Sequence, residues 1–265
     1  MADGSRIGII GGGGWLGGAI ARGILDAALV PAADLTLSYR SREPDGFAGV
    51  HLTSGNDELI ERSDIVIVSV RPADWPALVL SAQGRLVISV MAGIGIAEIQ
   101  SQLRTRRVVR TLPNAAAEVG CSYTPWRAAD EVTAADRAWV RAIFEACGSA
   151  DEVADESQID YLTGLSGGGP AFPALLADAM QKDAVARGID PSVARRAVTA
   201  VLVGTGLMFA AKPEDPAEVV ETFVGYRGTT AAAIAAMRAA GLERAVSAGL
   251  GAALEKSQAM GRAAS

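Results

Sequence analysis

The 265-residue chain has one histidine, His51, and two cysteines, Cys121 and Cys147, which do not form a C-x-x-C pair. A His-based catalytic triad and a Cys/His zinc site are therefore excluded, and no metal site is expected. An excess of basic residues is also missing. The formal charge of −6 argues against a nucleic-acid or membrane surface and leaves room only for a small local basic patch, of the kind that holds a phosphate. Long apolar runs are lacking too. "MADGSR" has no apolar core for a leader, and the least polar window, Ala197 to Ala211, reads as too short and too glycine-rich to span a bilayer. A cytosolic protein is expected.

What is present is a hydrophobic half of the composition, enough to bury one large core or two ordinary ones. Up to about residue 155, β-branched runs alternate with helical stretches: "RIGII", "LTLSY", "DIVIVSV", "RLVISVM" and "RVVRTLP", each bounded by Gly, Pro, Asp or Ser. The runs are apolar on both faces, as strands between helix layers must be, and this rhythm predicts an α/β domain with a doubly wound parallel sheet. After "ADEVADES" the β-branched runs stop and alanine-rich helical periodicity follows. Asp190-Pro191 and Asp215-Pro216 each place an N-cap acceptor before a first-turn proline. The division is therefore 1–157, a sheet domain, and 158–265, an all-helical domain whose small-residue faces and apolar stripes are expected to pair in a homodimer.

Between the first strand and the first helix runs "IGIIGGGGWLGGAIARGIL", Ile7 to Leu25, with six glycines in eight positions. Glycine is costly inside regular structure, so the stretch gains something by losing side chains. Gly12, Gly14 and Gly17, with Trp15 and Leu16 between the last two, fit G-x-G-x-x-G. In that pattern a tight turn, a close backbone approach to a pyrophosphate and helix-on-strand packing each need glycine, and the diphosphate rests on the helix N-terminus. The alternative is a tight packing turn alone; strand-turn-helix context favours a Rossmann-type dinucleotide site. At the end of the second strand, where NAD sites place a carboxylate, stand Arg40, Ser41 and Arg42. Guanidinium groups suit a 2′-phosphate, so NADPH is expected over NADH. Two solvated arginines pairing with Glu43 and Asp45 are the competing reading.

Further strand ends bring Val70-Arg71-Pro72, Ala92-Gly93 and Asn114 toward the same carboxyl edge of the sheet. Small residues there leave room for a nicotinamide, and Asn114 is a candidate for its carboxamide or a nearby ribose. A second glycine cluster, "TGLSGGGPAFPALL", precedes a helix with Pro170 and Pro173 in its first turn and is expected to expose free N–H groups. A third, "GYRGTTAAAI", lets the chain turn at Gly228 and presents Thr229 and Thr230 at a helix N-terminus, a site for a carboxylate or a plain threonine cap.

Six stretches, "IGIIGGGGWLGGAI", "SDIVIVSVRP", "VISVMAGI", "VVRTLPN", "LTGLSGGGPAF" and "RGTTAAAI", come in the order and spacing of the pyrroline-5-carboxylate reductases, and the chain resembles that family over almost its whole length. The resemblance implies a Rossmann domain followed by a helical domain interlocked with its counterpart in a dimer. It also implies hydride transfer from NAD(P)H to the C=N bond of a small cyclic imino acid in proline synthesis, with part of the substrate site supplied by the partner chain. On the substrate side it points to Ser166, Gly168, Arg227, Gly228 and Thr229, and to Thr230 as the residue that hydrogen-bonds the substrate's carboxylate or its proton path. The departures fall mainly there. Where the family has SGSGPAY, this chain has Ser166-Gly167-Gly168-Gly169-Pro170-Ala171-Phe172; where it has SPGGTT, this chain has Gly225-Tyr226-Arg227-Gly228-Thr229-Thr230. In the cofactor half, Arg71 replaces the usual lysine, and Trp15 a residue that is commonly polar. An Arg227 facing the substrate would favour a second acidic group; facing out, it is a surface charge beside Glu221. Two rival readings remain: a hydroxyacid dehydrogenase, for which the first lysine after the second glycine cluster is the distant Lys182, and a non-catalytic NADPH-binding protein. Trp75 and Trp126 are expected to serve packing, and His51, in a polar loop, to have no role.

Overall fold

The structure is a computed structural model that describes residues 4–212 and 215–264, so the start of "MADGSR" lies outside it. Eight strands form one sheet: β1 Ile7–Ile10, β2 Leu35–Ser38, β3 His51–Thr53, β4 Ile65–Val68, β5 Leu86–Ser89, β6 Val108–Thr111, β7 Ser122–Ala128 and β8 Gly148–Glu152. Their spatial order is β3-β2-β1-β4-β5-β6-β7-β8. The five β-branched runs form β1, β2, β4, β5 and β6, and every residue in them is buried. That is the expected cost-free place for "IVIV" or "LVIS": helices cover both faces, so alternation has no purpose. Helices α1 Trp15–Asp26, α2 Asn56–Glu61, α3 Ile96–Leu103, α4 Ala134–Glu145 and α5 Glu156–Leu162 complete this body. Ile20 and Ile24, one turn apart on α1, are fully buried with Ile7, Ile9, Leu37, Ile67 and Ile88; each such side chain contributes about 1.5–3 kcal/mol. Trp75 and Trp126 are also fully buried, as packing residues should be.

The sheet differs from the expectation in two ways. It is not wholly parallel, because β7 runs antiparallel to β6. It is also wider than the five runs, since β3, β7 and β8 are built from polar or interrupted sequence. His51 accordingly sits on β3, paired with Thr36 of β2, and not in a loop.

The chain divides into two compact units, residues 1–169 with 252–265, and residues 170–251. By packing, the division thus falls later than the change in sequence texture at 157. The reason is α5: Ile159 is fully buried, and buried Arg110 of β6 holds Glu156 and Asp160 at 3.1 and 2.5 Å. The second unit is helical, with α6 Ala171–Ala186, α7 Pro191–Ala211, α8 Pro216–Gly225, α9 Thr229–Ala239 and the start of α10 Leu242–Ala264. Asp190 accepts from the amides of Ser192 and Val193, and Asp215 from that of Ala217, so both Asp-Pro signals cap as read. Ala194 and Val198, one turn apart on α7, are buried, while Leu175, Val201, Val203, Leu207 and Met208 are exposed. One correction concerns α7. The helix begins at Pro191, and its 21 residues are long and apolar enough, by length and composition, to cross a membrane.

Candidate active site

The strand order reverses at β1, with β2 on one side and β4 on the other. At such a switch point the loops beyond the carboxyl ends of the strands part and leave a crevice. Here it is a cleft of about 870 Å3 lined by the glycine turn, Ser38 to Arg42, Ser69 to Pro72, Asp74 and Val90; small-molecule and cofactor sites are generally about 300–1,000 Å3.

The glycine turn is shaped for an anion. Gly11 has φ +78°, and a Cβ there would lie 2.4 Å from the Ser69 carbonyl oxygen. The left-handed residue is thus Gly11, one before the first glycine of the G-x-G-x-x-G reading. At Gly17 a Cβ would lie 2.6 Å from the Gly11 oxygen, so α1 can press against the turn only because that residue is glycine. The turn is tied down by the Gly11 amide donating to Ser38 Oγ at 3.2 Å and the Gly14 amide donating to Gly11 O at 2.9 Å. Gly14 caps α1 without a side chain, and no acidic residue stands in the first turn. The amides of Trp15 and Leu16, both lining the cleft, therefore stand at an uncapped helix end, as a diphosphate requires. These features fit a dinucleotide.

Arg40, Ser41 and Arg42 line the same cleft. Arg42 donates to Asp45 at 2.9 Å, so the competing solvated-pair reading is realised for that residue. Arg40 instead reaches Asp74, Nη1 to Oδ1 at 3.4 Å, and Arg71 grips Asp74 through Nε at 2.9 Å and Nη2 at 3.4 Å. The Arg71 guanidinium, with Arg40 adding to it, holds the Asp74 carboxyl below the usual carboxylate range. Three cleft residues were not legible from motifs: Asp74, Ser54 and Asn56. Ser54 and Asn56 follow β3, a strand of only three residues, and Asp74 lies in a short 3-10 turn, Pro72–Ala77.

Gly12, Gly17, Ala92, Gly93 and Asn114 are not among the cleft's lining residues. Asn114 has a different task. Its side-chain oxygen accepts from the Ala116 amide at 2.9 Å, and its Nδ2 donates to Ser166 O at 3.0 Å, tying the end of β6 to the second glycine cluster. That cluster is a π-turn, Thr163–Gly167. The Gly168 and Gly169 amides are not free as expected: they donate to Thr163 O and Ser166 O, both at 3.1 Å. The Ser166 hydroxyl donates to Leu162 O at 2.9 Å.

In the second unit, α9 starts at Thr229 with Gly228 as N-cap, and no side chain caps it. The threonine-cap alternative is therefore not realised, and the first amides of α9 remain available beside Thr229 and Thr230, both exposed. The left-handed residue of this turn is Arg227, φ +53°, and not Gly228. Glu221 is engaged by Arg238 at 3.1 Å and does not pair with Arg227. His51 Nε2 donates to Glu58 Oε1 at 2.7 Å, and burial pushes the Cys147 thiol up to about 11, which leaves it unreactive.

Residues 156–260 match the family model described as pyrroline-5-carboxylate reductase dimerisation, and residues 6–93 match one described as NADP oxidoreductase, coenzyme F420-dependent. A protein of Pseudomonas aeruginosa named pyrroline-5-carboxylate reductase is 31% identical over 248 residues, 91% of this chain and 90% of its own. The namesake from Thermus thermophilus is 36% identical over 228 residues, 84% and 85%. The chain belongs to the pyrroline-5-carboxylate reductase family. The solved pyrroline-5-carboxylate reductase of Coxiella burnetii, 26% identical, superposes with a TM-score of 0.88 over 97% of this chain and 99% of its own, so the family's fold is kept from end to end.

Proposed function

We propose that the protein is an NADPH-dependent reductase of the C=N bond of pyrroline-5-carboxylate, the last reaction of proline synthesis, working as a cytosolic homodimer. The observation that carries this reading is the cleft at the switch point, with an unshielded helix end and an arginine where an NAD site has a carboxylate, in a chain of this family. When bound, NADPH supplies the hydride for the electrophilic carbon of the C=N bond.

The chain's own residues have a modest chemical task, because a protonated imine needs orientation more than activation. The amides of Trp15 and Leu16 hold the diphosphate, and Arg40 with Ser41 the 2′-phosphate. The uncapped amides at the start of α9 take the substrate's carboxylate, and the Thr230 hydroxyl hydrogen-bonds it or passes a proton toward the ring nitrogen. Asn114 acts by fixing the loop at Ser166 and Gly168. The hydroxyacid dehydrogenase reading loses support, since Lys182 stands about three turns into α6 and pairs with Asp178 at 2.6 Å.

The test is NADPH consumption by purified protein with pyrroline-5-carboxylate, other cyclic imines and 2-oxoacids. Turnover of the imino acid, with NADPH preferred to NADH, is the expected result. Turnover of 2-oxoacids alone would establish the dehydrogenase reading, and cofactor binding without any turnover the non-catalytic one. In the same assay Arg40→Glu should raise KM for NADPH at least tenfold while changing that for NADH far less, because a charge-assisted hydrogen bond of about 1.5–3 kcal/mol is replaced by repulsion.

A further inference from the structure

Asp74 is a carboxylate inside a cleft read as the seat of a polyanion. Its Oδ1 is shared between Arg71 and Arg40, and its Oδ2 accepts from Arg71 Nε at 2.9 Å. The two arginines come from different strand ends, Arg40 beyond β2 and Arg71 beyond β4, so one carboxylate joins the loops on either side of β1 at the mouth of the crevice. The two halves of this bridge are unequal. Arg71 presents two nitrogens to Asp74, whereas Arg40 touches it with one, at 3.4 Å, and its side chain is 77% exposed. A long, single, solvent-exposed contact is easily exchanged.

We infer that Asp74 is a specificity-determining residue that competes with the 2′-phosphate of the cofactor for Arg40, and so narrows the enzyme's preference for NADPH over NADH. The inference rests on the NADPH reading above. A phosphate monoester carries about −1.5 to −2 charges at neutral pH and engages a guanidinium through two bonds, so it displaces the single Arg40–Asp74 contact. Arg71 still holds the carboxylate in place after that exchange, and its negative charge stays beside the incoming phosphate. NADH has a neutral 2′-hydroxyl there, which Asp74 does not repel and to which a carboxylate is a natural acceptor. Removing the charge should therefore help the phosphorylated cofactor and not the other.

The experiment is calorimetric titration of wild type, Asp74→Asn, Arg40→Ala and the double variant with NADPH, NADH, 2′,5′-ADP and 5′-AMP, with thermal melts to establish that each variant is folded. Asp74→Asn should tighten NADPH and 2′,5′-ADP by about three- to tenfold, the effect of one partly screened charge at this range. NADH and 5′-AMP should bind no tighter, and the gain should shrink in the Arg40→Ala background, where only the repulsion between Asp74 and the phosphate remains to be relieved. A wild type that binds NADPH with an Asp74→Asn variant that binds it equally or more weakly overturns the inference alone. So does equal tightening of NADH, or a gain undiminished without Arg40. A wild type that binds none of the four ligands overturns the NADPH reading and the inference with it.

Discussion

Arg227 has a left-handed backbone, φ +53°, a conformation that costs a residue with a Cβ about 1 kcal/mol or more. It is exposed, and among the described residues it forms no ion pair within the chain. A strained arginine without a local contact, directly before the uncapped start of α9, is the departure most able to alter substrate choice. Arg227→Gly should therefore have two separable effects. Relief of the backbone should stabilise the folded protein by about 0.5–1 kcal/mol in urea unfolding. If the guanidinium recognises a second acidic group, the ranking of imine substrates by kcat/KM should also shift by about 1.5–3 kcal/mol, whereas Thr230→Ala should lower kcat/KM for every substrate alike. A glycine variant with an unchanged ranking would leave Arg227 without a part in recognition. The motif spacing located this residue, but only the backbone angle shows that the strain falls on it and not on Gly228.

At the scale of elements, α4 illustrates how a helix is set by its first turn. Thr133 accepts from the Asp136 amide at 3.1 Å while Asp136 accepts from the Thr133 amide at 2.9 Å, a reciprocal capping box. Asp136 also accepts from Arg107 Nε at 2.9 Å, joining α4 to the residue before β6. Burial pushes the Asp136 carboxyl up, but its bonds from Arg107 and Thr133 outweigh that and hold it below its ordinary value. A depressed carboxylate contributes stability at pH values above its unfolded pKa of about 3.9 and loses it as pH falls through the lower folded value. Asp136→Asn should thus cost about 1.5–3 kcal/mol at pH 7, and the difference from wild type should shrink below about pH 4. Urea unfolding across that range measures both; a gap that stays constant to pH 2 would mean that the charge contributes nothing. The capping box follows a spacing that the sequence carries, Thr133-Ala134-Ala135-Asp136, whereas the Arg107 contact was not legible, because it comes from far away in the chain. Three strands were hidden as well. "HLT" is too short for a pattern, "SYTPWRA" carries Pro125, which reads against a strand, and "GSADE" lies at the sheet edge, where one flank faces no partner strand. The double-buried runs and the glycine turn were legible because they obey a single local requirement. The Arg40 contact of Asp74, the Ser166 contact of Asn114 and the ion pairs of Arg110 were not, because each joins residues far apart in the chain.

For the whole molecule, the exposed apolar side chains of the helical unit are the outstanding feature. Val201, Val203, Leu207 and Met208 on α7 are each more than half exposed, and the region falls within the match to the family's dimerisation model. Leaving such a helix in water forgoes about 25 cal/mol for each Å2 of apolar surface that a second copy would cover. A bilayer is the other medium that could cover it, but Arg195 and Arg196 lie in the second turn of α7, and the uncharged stretch after them, Ala197 to Ala211, is shorter than the ~20 apolar residues of a typical span. A second copy of the chain is thus the better cover, as it satisfies the apolar face without removing the arginines from water. Without detergent, light scattering should give a mass at least twice the 27.2 kDa of the chain, unchanged on dilution to micromolar concentration. Leu207→Glu should shift the population toward smaller species, and activity should fall with it as expected of a substrate site shared between protomers. A soluble, monodisperse 27.2 kDa wild type with full activity would refute both the assembly and the shared site.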